Sequence, residues 1–159
     1  MSIPWSAIFW AGFVATTLAA ACFWVFRTFG WTEFSPTTQL GCLFFGNPRL
    51  PLAESVGLVL LLALGSTVVA WLYAALLRQT GGVTLGGGAL LGLVHGALTV
   101  AVLPVLGTIS ACVRSGFLPP PGRFGLAWGR GTPAGVVAGH VVYGAAVGAT
   151  LAAFMAPPM

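Results

Sequence analysis

Two histidines, His95 and His140, lie inside long uncharged apolar runs. An imidazole in hydrocarbon gives up its hydrogen bonds to water, and leaving a polar group so unpaired costs roughly 2–7 kcal/mol. Each ring therefore needs a partner, and an ionisable residue at membrane depth is a functional hypothesis by default. Three chemistries fit. The first is a neutral imidazole bonded to a backbone carbonyl, Thr99 or Tyr143 across a helix pair, and this is the favoured one. The second is ligation of haem b or a chlorophyll-type pigment by His95 and His140, although no cofactor is assigned outright. The third is a proton or ion relay. A relay wants several carboxylates in the membrane, and the chain offers only Glu54, at the mouth of an apolar run.

Other reactive constellations are missing from the sequence. There is no Asp, no Lys, no His-Glu-x-x-His, and no Ser or Cys with a His close by. The glycine-rich stretch 81–88 lacks the Lys of a phosphate-binding loop and follows no strand. Cys22, Cys42 and Cys112 make no C-x-x-C pair and no metal spacing. The expectation is a protein that is not an enzyme and holds no metal.

The elements that carry these residues are set by composition. Of 159 residues, 58% are apolar and 5% charged, against roughly 25% charged in an average soluble domain. Mean hydropathy is +1.00. So little charge cannot cover a water-facing shell, so the surface must meet lipid or other protein. The net charge of +4 comes from isolated Arg residues, not from the clustered basic face that nucleic acid requires.

Crossing the hydrocarbon core takes about 20 apolar residues. The sequence supplies four such runs and predicts an all-α polytopic membrane protein, a four-transmembrane-helix bundle forming one domain over 1–159. The spans are 5–26, 55–77, 84–108 and 133–155. The runs do not alternate as barrel strands would. No basic residue precedes the first run, so it reads as a span and not as a signal peptide. Trp5, Phe9 and Trp10 at one end and Phe23, Trp24 and Phe26 at the other form aromatic belts. Pro104 breaks or kinks the third run near its end.

Arg27, Arg49, Arg114, Arg123 and Arg130 lie in loops 27–53 and 114–132, and Arg78 stands alone on the other side. The positive-inside rule then puts both long loops in the cytoplasm and both termini outside. The membrane expected is the bacterial inner membrane. A disulfide between Cys42 and Cys112 is not expected on that face. The aromatic residues of these loops, among them Phe34 and Trp128, imply packing on the membrane surface or against a partner.

Small residues stripe the last two spans. Gly88, Gly92 and Gly96 repeat every four positions, as do Gly135 with Gly139 and Gly144 with Gly148. Small-x-x-x-small spacing lets helix backbones approach closely in lipid. These glycines are read as packing the third span on the fourth, with dimerisation as the alternative. His95 shares a face with Gly88, Gly92 and Thr99, and His140 with Gly144 and Gly148. With helix starts at Thr84 and Pro133 the two imidazoles differ in depth by about 6 Å, and with a start at Gly88 by roughly 12 Å, at 1.5 Å rise per residue. Only the first choice leaves a bis-histidine haem feasible.

Phe124-Gly125-Leu126, Gly131-Thr132-Pro133-x-Gly135 and Gly139-His140-x-x-Tyr143-Gly144-x-x-x-Gly148 resemble a pattern of small bacterial inner-membrane proteins, the YagU-like group. The likeness covers the last quarter of the chain. It implies a four-helix bacterial membrane protein and no particular activity.

Together these readings favour a non-catalytic accessory or structural subunit, held in the lipid bilayer against other integral membrane subunits. The alternatives are a haem- or pigment-binding electron-transfer subunit and a small transporter or channel.

Overall fold

The computed structural model describes residues 3–156, and among these it is helical with no strand. Four helices are long and apolar enough to cross a membrane: α1 (Trp5–Thr28), α3 (Pro51–Gln79), α4 (Leu85–Ile109) and α6 (Thr132–Met155). Between them lie the short helices α2 (Pro36–Gly41) and α5 (Ala111–Arg114) and a 3₁₀ segment, Arg123–Trp128. The chain is thus an all-α multi-pass membrane protein. The outermost residues, 1–2 and 157–159, lie outside the described residues, and with them the two chain ends that the orientation argument placed outside.

Local chemistry explains where the helices start. Thr84 accepts a hydrogen bond from Gly87 N at 3.0 Å, so the glycine-rich approach is capped and α4 opens at Leu85. Ser35 accepts from Thr38 N and Pro36 takes the first position of α2, a favoured pairing at a helix start. α3 begins at Pro51, with Glu54 in its first turn where a carboxylate suits the helix dipole. It also carries a π-helical turn, Gly65–Val69. Pro104 does not end α4, which runs on to Ile109.

α6 is the central helix. It packs along α4 on one side and α1 on the other, and also meets the second half of α3. At the Arg78 end the bundle closes on a core that includes Ile8, Ala11, Tyr73, Tyr143, Val147 and Leu151. The first half of α3 leaves the bundle, and α2 packs against it there. Glycine permits that approach: a Cβ on Gly41 would strike the Ala53 carbonyl, and one on Gly57 would strike Thr37.

The long loops fold on each other. Phe34 stacks on Trp128 at 5.8 Å and meets Phe23 at 5.5 Å. Glu33 N donates to Trp128 O at 2.6 Å, the Thr32 and Thr132 hydroxyls pair at 2.6 Å, and Trp128 Nε1 donates to Pro119 O at 2.9 Å. Phe34 and Trp128 are both buried.

One expectation is overturned. Cys42 and Cys112 form a disulfide, with Cα atoms 5.3 Å apart. The sequence reading rejected a bridge on grounds of compartment. It could not see that the end of α2 and the start of α5 meet, where Ala111 N donates to Cys42 O at 2.7 Å.

Candidate functional site

The site grows from missing side chains. On α4, Gly92 and Gly96 flank His95, and α6 lies directly against them. A Cβ on Gly92 would collide with the His140 carbonyl, and one on Gly96 would fall 2.9 Å from Val137 Cα. This close approach brings the His95 and His140 rings into edge-to-face contact, centroids 4.5 Å apart. The starts of α4 and α6 agree with the choice that put the two rings nearest in depth.

A hydrogen bond assigns the proton of one ring. His140 Nδ1 is 2.7 Å from the Val136 carbonyl, so Nδ1 donates. The Thr99 hydroxyl donates to His95 O at 2.9 Å and lies 3.3 Å from His140 Nε2. The Tyr73 hydroxyl lies 3.1 Å from His95 Nδ1. His95 Nε2 has no hydrogen-bond partner among the described residues, and it can donate in the tautomer that leaves Nδ1 to accept from Tyr73. Tyr143 packs its ring on Tyr73 at 5.1 Å and donates its hydroxyl to Gly65 O at 2.6 Å, at the start of the π-helical turn. Such turns are frequent at functional sites.

Beside this cluster lies an open-sided apolar cleft of about 270 Å³. Ala20 and Phe23 of α1, Leu61 and Leu64 of α3, and Gln39 and Leu40 of α2 form its walls, and His95, Thr99, His140 and Tyr143 form its polar edge. Among the described residues no Arg or Glu lines it.

The geometry does not fit a haem held between the two histidines. A metal about 2.0–2.1 Å from each nitrogen would put the ring centroids roughly 6 Å apart, on opposite sides of the metal. Here they are 4.5 Å apart, and both nitrogens of His140 are already bonded. Among the described residues no group of three His, Cys, Asp or Glu could hold a metal ion.

The glycines divide by partner. Gly88, Gly92, Gly96, Gly144 and Gly148 lie in the α4–α6 contact, whereas Gly135 and Gly139 receive the rings of Phe26 and Phe23 from α1. All seven are buried inside the single chain. Sequence reasoning missed α2 as a wall of the site and Gly65 as the partner of Tyr143. The Ser35-Pro36 pair was a usable signal for the first, and the sequence holds none for the second.

Fold and site together define a four-span membrane protein with a histidine–tyrosine cluster edging an apolar cleft. No family model matches the chain, and neither a curated protein nor a solved structure is significantly similar to it.

Proposed function

We propose that the chain is a non-catalytic membrane protein that holds a small, neutral, lipid-soluble molecule in the cleft beside His95. The observation that carries this reading is an apolar cleft of about 270 Å³ edged by His95, whose Nε2 has no hydrogen-bond partner among the described residues. A dry cavity of roughly 150 Å³ takes up benzene, so this one has room for a ring and its substituents. The absence of a lining charge disfavours an ionic ligand, whose desolvation nothing there offsets. Solvent extraction of the purified protein, followed by mass spectrometry, tests the idea. A neutral molecule should be recovered from the parent at near-stoichiometric yield and lost from Ala20→Trp, which fills the cleft. Equal recovery from both would refute it.

A second reading, the accessory subunit, is favoured by the outer face of α1. Phe9, Trp10 and Phe13 are exposed there and pack ring on ring at 5.6–6.4 Å. Such a ridge suits lateral packing against another membrane subunit. Crosslinking through a photoreactive group at Phe13 would capture a stoichiometric partner, and lipid adducts alone would speak against one.

For location, we propose the bacterial inner membrane with loops 27–53 and 114–132 in the cytoplasm, on the strength of five Arg residues against one. The Cys42–Cys112 bridge pulls the other way, since disulfides persist in oxidising compartments. A reducing cytoplasm would hold the pair as buried thiols.

A further inference from the structure

The geometry points to the head of a quinone as the ligand: a neutral flat ring carrying a carbonyl, seated with that carbonyl on His95 Nε2. This rests on the reading of the cleft as a binding site, and it adds the chemistry of the occupant. Three observations narrow the class. His95 Nε2 is without a partner among the described residues, and with Nδ1 accepting from the Tyr73 hydroxyl 3.1 Å away it donates, which calls for a ligand that presents an acceptor. The walls near it include the rings of Phe23, Phe34 and Tyr143, which suit a flat aromatic or quinonoid ring. Gln39, on α2, brings an amide able to meet a second carbonyl or a hydroxyl. Leu64, in the cleft wall, is 42% exposed, so an apolar tail can leave the cleft beside it. A fatty acid would bring a carboxylate with no cation to meet it, and a sterol would bring a body larger than the cleft.

The test uses the full chain in nanodiscs of one synthetic lipid, with protein-free nanodiscs as the baseline for equilibrium dialysis. The probes are a benzoquinone with a single-isoprene tail, an alkylbenzene of the same ring size, and a fatty acid. The parent should retain the benzoquinone saturably and roughly tenfold more tightly than the alkylbenzene, the usual order for one buried hydrogen bond. His95→Phe should bring the benzoquinone down to the alkylbenzene level, and His95→Gln, which keeps a donor, should restore most of the difference. Equal retention of benzoquinone and alkylbenzene by the parent would overturn the quinone assignment while leaving the cleft a binding site. Preferential retention of the fatty acid would overturn it too. Retention of none of the three would remove the binding-site reading itself. The comparison of probes on the parent decides the matter even where a His95 variant does not assemble.

Discussion

Tyr143 ties the site to the backbone of α3. Its hydroxyl donates to Gly65 O at the opening of the π-helical turn, and its ring is 6% exposed. Tyr143→Phe keeps the ring and leaves that buried carbonyl short of a donor, which should cost roughly 1–3 kcal/mol. Thermal unfolding in detergent should show a lower Tm for the variant, and an unchanged Tm would mean that the bond contributes nothing. At this scale the sequence is informative in part. His95 and His140 stand out because an imidazole is anomalous in an apolar run. Thr99 was already legible as a partner across the helix pair, and it lies 3.3 Å from His140 Nε2, whereas Tyr73 and Val136 are ordinary residues there until helix rotation and depth bring them within reach. The polar inventory was legible and the pairing only in part.

Among the elements, the α4–α6 contact is the closest. Gly144 lies against Gly88 so tightly that a Cβ at either would enter the other helix's backbone. Gly144→Leu should therefore force the helices apart and separate the two histidines. The expected outcome is loss of at least 1–3 kcal/mol, the usual range for overpacking, with a broad aggregated profile on size exclusion. A monodisperse variant with the parent's melting point would contradict the close contact. The long helices announced themselves through apolar runs, because hydrocarbon thickness dictates their length. α2 did not, since its six residues include two Thr and a Gln and carry no apolar run. The π-helical turn was equally silent: Gly65-Ser66-Thr67-Val68-Val69 reads as plain helix, and only the fit against Gly12 and Thr16 of α1 distinguishes it.

For the whole molecule the open issue is which face meets the cytoplasm. In a background with Cys22, Cys42 and Cys112 replaced, Phe44→Cys reports loop one and Thr80→Cys reports the short turn; both parent residues are exposed. With the loops cytoplasmic, an impermeant maleimide applied to intact cells should label Thr80→Cys and spare Phe44→Cys. The reverse pattern would put the bridge and five Arg residues on the outer face.

The Cys42–Cys112 bridge joins positions 70 apart, and α3, the short turn and α4 all lie between them. That stretch is consequently a covalent ring with the remaining two spans as its tails. A single protease cut at Gly81 or Gly82 would open the ring without dividing the molecule: the nicked chain would run as one species near 16.3 kDa until a thiol is added, and only then fall into two pieces.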